Sequence, residues 1–340
     1  MPLRYLTPFA FLALLPLGGW LGGAWTFTAA AATPLCLTSL DAIFGEDEAE
    51  AQARAAAARW LPRIYIVLQL GATLLAAAWA SRPSASWLEF AGLTLSAGVT
   101  TGVFGFVAAH EMIHSRKRSE RALGLTLLGT VLYMHFRIAH VHGHHVRAAT
   151  KDDPASARLG ESLYAFLARS IAGQWREAWR FELERRRRIA GAGNRLLLYL
   201  AIESAFLIGI ASIDVRALAF VLGVAVIAVV LLESFNYIAH YGLTRRLMAN
   251  GRLERLAPHH SWNSGRRMNN AALFNMGRHS DHHRHMVRSY DELEPLDGGA
   301  VLPSGYAAAL LTAAIPPLWR HVMDARASAV VPARPKSSLD

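Results

Sequence analysis

Long apolar blocks, each bounded by dense polar stretches, constrain the fold of this 340-residue chain more than any other feature. A helix that crosses a bilayer needs about 20 mostly apolar residues. Six blocks approach this length and pair into three hairpins, at residues 5–22, 24–40, 64–80, 87–109, 196–213 and 217–238. The sequence therefore predicts an all-α integral membrane protein, a single domain over residues 1–340 with six transmembrane helices in three hairpins.

Basic residues fall almost entirely on one side of this topology. The chain has 35 Lys and Arg against 25 Asp and Glu, a net charge of +10. Only Arg82 and Arg216 lie in the three turns that would face the opposite side. Because Lys and Arg accumulate in cytoplasmic loops, we expect a multi-pass inner-membrane protein surrounded by lipid, with both termini and residues 110–195 and 239–340 in the cytoplasm. Topology then explains the basic excess, and we expect no nucleic-acid partner.

Two shorter apolar stretches and one buried charge complete the membrane prediction. Residues 121–136 are expected to form a buried or re-entrant helix, because they are too few to span the bilayer. Residues 306–319 are interrupted by Pro316 and Pro317 and are expected to form a helix lying on the domain. Glu203 falls in the middle of a span, where a carboxylate is costly. It has either a functional role or a bond to a neighbouring helix.

Histidines cluster at the predicted cytoplasmic ends of the spans. Residues three or four apart share a helix face, so their spacing brings nine imidazoles together just below the membrane surface. Neutral imidazole is a good ligand for Fe, Zn, Cu or Ni, and nine exceed what one ion can hold. We therefore expect two metal ions beside an apolar bundle, an arrangement that favours O₂ activation over hydrolysis. The candidate ligands are His110, His114, His140, His144, His145, His240, His279, His282 and His283.

Two other functions were weighed against this interpretation. Residues 110–114 read His-Glu-x-x-His, the zinc-protease pattern in which Glu111 would be the general base, and residues 296–298 resemble the distal aspartate motif of intramembrane metalloproteases. A membrane zinc metalloprotease, however, needs only three protein ligands and leaves six clustered histidines unexplained. A metal transporter would need its ligands inside the spans rather than at their ends.

The motifs around these histidines resemble those of the integral-membrane alkane hydroxylases, which are non-haem di-iron monooxygenases related to the membrane fatty-acid desaturases. The resemblance is carried by residues 110–114, 140–162, 236–243 (NYIAHYGL) and 259–290, which begin HHSWNS. It covers about residues 4–323. It implies that the nine histidines hold two Fe ions and that O₂ is the co-substrate. The implied reaction inserts one oxygen atom into a terminal methyl group of a medium or long-chain alkane.

The resemblance also implies an external electron supply. Such enzymes receive electrons from rubredoxin, a small acidic iron protein, and from rubredoxin reductase. Because the chain has a single cysteine, rubredoxin is not part of it. Other members of the superfamily leave alternatives open, namely a desaturase or a hydroxylase of fatty-acyl chains, aryl methyl groups or terpenes.

In two positions the chain departs from the family pattern, because Ala139 and Ala239 stand where a glutamate is usual. Carboxylates beside metal-bound imidazoles typically change metal affinity or activity by about 10–100-fold. The remaining polar residues that could support the imidazoles are Glu111, Glu233, Asn236 and Asp281. The other six histidines are expected not to be ligands, with a supporting or helix-capping role for His259 and His260.

Overall fold

The computed structural model describes residues 3–47, 58–248 and 250–330. Within these ranges the chain is mostly helical. The α-helices are α1 (Thr7–Leu21), α2 (Thr28–Phe44), α3 (Leu61–Ala80), α4 (Trp87–Thr100), α5 (Phe106–His114), α6 (Arg118–Thr130), α7 (Phe136–Ala139), α8 (His145–Arg147), α9 (Leu163–Arg188), α10 (Arg195–Ile213), α11 (Val215–His240), α12 (Arg267–Ala272), α13 (His279–Arg284), α14 (Tyr306–Ala313) and α15 (Pro316–Val330). Two short strands, β1 (Trp262–Asn263) and β2 (Ala300–Val301), pair in parallel.

Five helical stretches of the described chain are long and apolar enough to cross a membrane. They are Gly23–Phe44, Leu61–Ala80, Trp87–His114, Arg195–Ile213 and Val215–His240, and they correspond to the second to sixth predicted spans. The first predicted span, residues 5–22, contains α1, which has 15 residues against the roughly 20 that a bilayer requires. The structure therefore supports a multi-pass membrane protein but does not confirm the predicted count of six helices.

The predicted hairpin turns meet at one end of the helical bundle. The backbone N–H of Gly23 donates to Glu89 Oε1 at 2.9 Å. Arg216 donates to the backbone oxygens of Arg82 and Ala85 at 3.2 and 3.0 Å. The continuous stretch Trp87–His114 has 28 residues, so at 1.5 Å per residue its far end lies about 42 Å away. The histidines that end this stretch therefore lie at the opposite end of the bundle from the turns.

Small residues bring α4 and α11 close together. A methyl group added at Gly98 would lie 2.7 Å from Ile227 Cβ, and one added at Gly102 would lie 2.9 Å from Ala228 Cα. Both distances are too short for a real side chain, so glycine is required for this approach. Small residues at helix interfaces allow the close backbone packing that is common in membranes. This contact fixes α11 beside the helix that carries His110.

Two buried glutamates fix the segment that follows α6. Glu203 on α10 accepts the backbone N–H of Met134 at 2.9 Å. Glu233 on α11 accepts the phenolic O–H of Tyr133 at 2.9 Å. Glu203 is thus hydrogen-bonded, as one of the two alternatives predicted, but its partner lies in a turn rather than in a neighbouring helix. Together the two carboxylates hold residues 133–134 against the bundle, just before the residues that lead to His140.

The C-terminal described helices lie across α2 and α11. Tyr306 of α14 stacks on Phe235 of α11, with ring centroids 4.2 Å apart. The backbone N–H of Ala307 donates to Asn269 Oδ1 at 3.2 Å. Asp41 at the end of α2 accepts the backbone N–H groups of Met268 and Asn269 at 2.8 and 3.1 Å. These bonds join α2, α12 and α14 into one wall. As the sequence predicted, residues 306–319 form a helix that lies on the domain and is interrupted between α14 and α15.

Candidate metal centre

All nine candidate ligands come together at one end of the bundle, where they form two groups of buried imidazoles. Within each group the potential ligand atoms lie within 4.8 Å of one another. The first group contains His110, His114, His140, His145 and His282. The second contains His144, His240, His279 and His283. The structure therefore brings together the nine residues that the sequence spacing selected, and it places them in two groups.

The division into two groups does not follow the helix faces. His140 and His144 were expected to point the same way, and their rings do stack, with centroids 5.1 Å apart. They nevertheless belong to different groups, and α13 likewise contributes His282 to one group and His283 to the other. The two groups are adjacent, so one helix face serves both of them. Spacing alone could not separate them.

A local widening of the helix carries the central ligands. Residues His140–His144 form a π-helical turn, in which the backbone N–H of His145 bonds to the carbonyl five residues earlier. Such turns are rare and occur frequently at functional sites. Here the turn lies between α7 and α8 and places three ligands, His140, His144 and His145, within six residues. A second π-helical turn, Thr101–Gly105, precedes α5 and its two ligands.

The nitrogen positions fit metal ions. In the first group His140 Nε2 lies 2.8 Å from His110 Nε2 and 3.1 Å from His145 Nε2. In the second group His279 Nε2 lies 3.2 Å from His240 Nε2 and 3.1 Å from His283 Nε2. Two nitrogens bound at about 2.1 Å to one ion, at a right angle, are about 3.0 Å apart. The observed separations are therefore short enough for these nitrogens to bind one ion together.

Unsatisfied nitrogens support the same conclusion. Nε2 of His114 and Nε2 of His144 are buried and have no hydrogen-bond partner among the described residues. Buried polar groups are nearly always bonded, and exceptions call for an explanation such as an ion. A donor set made only of imidazole nitrogen suits Fe, Zn, Cu or Ni rather than Mg²⁺ or Ca²⁺. The residues present thus fit two transition-metal ions.

The surroundings keep the imidazoles neutral. Burial lowers the pKa of five imidazoles outside the spanning helices well below the usual value, and the neighbouring imidazoles lower it further. These five are His140, His145, His279, His282 and His283. Because only an unprotonated nitrogen can bind a metal, the site is ready to accept ions at neutral pH.

One carboxylate supports a candidate ligand directly, and the sequence analysis missed it. Asp153 Oδ2 lies 2.8 Å from His144 Nδ1 and also accepts the hydroxyl of Ser156 at 2.6 Å. Burial by itself raises the pKa of Asp153, but His144 and these hydrogen bonds lower it below its usual value overall. A carboxylate in this position fixes the orientation of the ring. Asp153 lies within residues 140–162, but the sequence does not distinguish it from the adjacent Asp152.

The four supporting residues proposed from the sequence bond to other groups. Glu111 accepts the backbone N–H of Tyr290 at 3.3 Å. Asp281 pairs with His285 and Arg288 at 2.7 and 2.9 Å. The side-chain N–H of Asn236 donates to the carboxylate of Glu233 at 3.4 Å. These contacts fix the backbone segments that carry the ligands, and the described hydrogen bonds of the four residues do not include one to the nine imidazoles.

The remaining histidines lie outside both groups. His260 accepts the backbone N–H of Ala257 at 2.9 Å, and its carbonyl oxygen lies 3.4 Å from His240 Nδ1. It therefore has both the capping and the supporting contact that the sequence suggested. The metalloprotease motif finds no structural counterpart, because Asp297 is exposed in a turn and belongs to neither group.

An apolar cavity leads to the imidazoles. It has a volume of about 190 Å³ and is lined by side chains of α2, α4, α5, α11 and α14. Its wall includes Val99 and ends at His110, His140 and His279, so it touches both groups. Val99 lies eleven residues before His110, and a helix rises 1.5 Å per residue, so the cavity follows this helix for about 16 Å. The cavity is thus an elongated apolar space that includes three candidate ligands in its wall.

Comparison with known proteins agrees with this geometry. Residues 85–308 match the model of the fatty acid desaturase family. Alkane 1-monooxygenase 2 of Pseudomonas aeruginosa is 42% identical over 248 residues, which is 72% of this chain and 66% of that protein. Alkane 1-monooxygenase 1 of the same organism is 39% identical, over 85% of this chain and 80% of that protein. Alkane 1-monooxygenase of Pseudomonas putida is 37% identical, over 85% and 74%. The chain therefore belongs to the fatty acid desaturase family and, within it, to the alkane 1-monooxygenases.

Proposed function

We propose that this protein hydroxylates the terminal methyl group of medium or long-chain alkanes in the inner membrane, using O₂ and two Fe ions. The observation that carries the proposal is the cavity, which is apolar along its length and ends at imidazoles of both groups. An alkane has no polar group by which an enzyme could hold it, so shape and apolar contact must position it. Each buried methylene contributes about 0.8 kcal/mol.

The chain itself would perform the positioning. Side chains of α4 and α11 enclose the alkyl chain, and Phe106 and Phe136 narrow the cavity near His110 and His140. These apolar walls exclude water from the space beside the imidazoles. When bound to the two histidine groups, iron would supply the activation of O₂ and the oxidation of the C–H bond. The role of the protein is then to orient the alkane and to exclude water from the reacting end.

We further propose that both termini and the histidine end face the cytoplasm and that rubredoxin and its reductase supply the electrons. Helix α9 offers a surface of the required charge. It ends in four consecutive arginines, Arg185–Arg188, and Arg176 and Arg180 are exposed earlier on the same helix. An acidic carrier is attracted to such a surface, and this attraction is weakened by salt.

Whole-cell turnover tests this function. Cells that produce the chain together with rubredoxin and rubredoxin reductase are given alkanes of increasing length and, separately, aryl methyl compounds. We expect primary alcohols from the alkanes, and loss of product when rubredoxin is omitted. Alkenes would indicate a desaturase, and alcohols formed only from aryl methyl compounds would identify a different substrate class. A protein that binds iron but forms no product from any of these compounds would contradict the proposal.

The length of the cavity predicts how the substrate range will change. Val99→Phe adds a ring at the end of the cavity that is far from the imidazoles, so we expect the longest alkanes to lose turnover while shorter ones keep it. Leu95→Phe is the matched control, because Leu95 lies one turn earlier on α4 and is 40% exposed on the outer surface. Alcohols from a mixture of alkanes are measured by gas chromatography. An equal change for all chain lengths would show that Val99 does not limit the substrate.

The two histidine groups predict separate losses of iron. Replacing His110 and His114 together leaves three nitrogens in the first group, and replacing His279 and His283 leaves two in the second. We expect each double alanine variant to lose one of two Fe ions. The control is the double variant His142→Ala and His321→Ala, whose residues are exposed and lie outside both groups. Iron per chain is measured by mass spectrometry of the purified protein. Iron equal to that of the parent in both test variants would contradict the assignment.

Asp153 predicts a smaller effect that acts through His144. Asp153→Asn removes the charge that orients this imidazole, and loss of such a partner typically lowers metal affinity about 10–100-fold. We expect the variant to lose iron to a chelator at lower chelator concentration than the parent does. Asp152→Asn, at an exposed neighbouring position, is the control. Identical chelator curves for the two variants would show that Asp153 does not support the metal.

A further inference from the structure

A row of aromatic rings connects the surface of α9 with the first histidine group. Trp179 and Trp175 are half-buried on α9, with ring centroids 6.3 Å apart. His135 lies 4.9 Å from Trp175 and 4.4 Å from Tyr133. The row thus continues without a gap from the protein surface to a buried tyrosine.

From Tyr133 one further ring leads to a candidate ligand. Phe136 stacks on Tyr133 at 5.9 Å with an angle of 21° between the ring planes. The same ring stacks on His140 at 4.6 Å and 24°. Tyr133 is therefore separated from a candidate metal ligand by a single aromatic ring. Electron transfer slows steeply with distance, so short steps between oxidisable rings form an efficient route.

The hydrogen bond of Tyr133 suits it for losing an electron. A phenol that loses an electron becomes strongly acidic, so it needs a proton acceptor in place. Glu233 Oε1 accepts the Tyr133 hydroxyl at 2.9 Å. Its other oxygen accepts from Ser170, Gln174 and Asn236. The carboxyl group of Glu233 is therefore the hydrogen-bond acceptor to which the phenolic proton can pass.

His135 has no other described role in the structure. It is 5% exposed, and neither of its ring nitrogens has a hydrogen-bond partner among the described residues. Burial lowers the pKa of His135 to about 4, so the ring is neutral between Trp175 and Tyr133. An unpaired buried imidazole calls for an explanation, and a position between two oxidisable rings provides one.

We propose that Trp175, His135 and Tyr133 form a protective relay that carries electrons from the α9 surface to the histidine cluster when oxygen is activated without alkane in the cavity. This rests on the proposed function, because that function supplies the oxygen-derived oxidant. Tyr133 gives one electron to the oxidant and its proton to Glu233. Trp175 then gives one electron to the tyrosyl radical, which takes its proton back from Glu233. A cytoplasmic thiol restores Trp175 by giving it one electron, and the thiol releases its proton to water and becomes a thiyl radical. The oxidant is thereby reduced before it attacks the cavity wall.

Photo-oxidation tests the route without relying on turnover or on oxygen. Cys36, the one cysteine of the chain, is replaced by serine, and Arg180→Cys is labelled with a ruthenium photo-oxidant. After a flash and oxidative quenching, we expect transient absorption of a tyrosyl radical. Tyr133→Phe should lose most of this signal. Tyr65→Phe, another fully buried tyrosine outside the row, should keep it. No radical in the labelled parent, or an undiminished radical in Tyr133→Phe, would overturn the relay.

Oxidative damage tests the protective role in the iron-loaded protein. The protein is supplied with reductant and O₂ but no alkane, and oxidised residues are mapped by mass spectrometry. Met276 lines the cavity, and methionine is readily oxidised to its sulfoxide. We expect several times more Met276 sulfoxide in Tyr133→Phe and in Trp175→Phe than in the parent.

Two controls separate the relay from a general loss of stability. Tyr65→Phe and Trp20→Phe, the latter at an exposed residue outside the row, should show the sulfoxide level of the parent. Equal sulfoxide in all variants, with O₂ consumed, would refute the protective role and leave the hydroxylase function intact. Lack of any iron-dependent O₂ consumption would instead refute the proposed function, and the protective role with it. The photo-oxidation result would still decide whether the electron route exists.

Discussion

The convergence of nine buried, neutral imidazoles is the constraint on which the rest of the structure depends. A buried polar group without a partner destabilises a fold by roughly 1–3 kcal/mol. Several ring nitrogens of the cluster have no partner among the described residues. Metal binding would give these nitrogens a partner. Without a metal, the rest of the bundle must offset their destabilising effect. The helices that carry these histidines must therefore be held firmly by contacts made elsewhere.

Those contacts lie within the helical bundle and at the end of α2. Gly98 of α4 and Gly102 of the π-helical turn that follows it allow α11 to approach closely, which sets His240 relative to His110. Glu203 and Glu233 fix the segment before His140 through Met134 and Tyr133. Asp41 ties α2 to α12, close to the helix that carries the last three ligands. A bilayer offers no hydrophobic force between helices. Apolar packing and the hydrogen bonds of a few buried carboxylates are therefore both needed to hold the helices in position.

Features that follow from the order of residues along the chain could be predicted. Features that depend on contacts between residues distant in the sequence could not. Lipid requires long apolar helices, so five of the predicted spans appear with shifted ends. The first block is not among these five stretches, and its α-helix α1 has 15 residues. Leu3–Leu6 form a separate 3₁₀ turn, and Arg4 within it pairs with Asp47. Similarly, spacing assembled the nine histidines, but their division between two groups and the bond from Asp153 to His144 appear only after folding.

The surroundings of Ala139 and Ala239, where the resemblance predicts glutamate, can be understood from the same contacts. Ala139 and Ala239 are buried, each immediately before a candidate ligand. His140 stacks on Phe136, and His240 Nδ1 faces the carbonyl of His260. A stacked ring and a backbone carbonyl restrict ring orientation without adding charge. With alanine at both positions, the cluster is surrounded by less negative charge than it would be with two glutamates there. Among the described residues, the carboxylate bond to a candidate ligand is that of Asp153 to His144 in the second group, whereas His140 of the first group is oriented by stacking on Phe136.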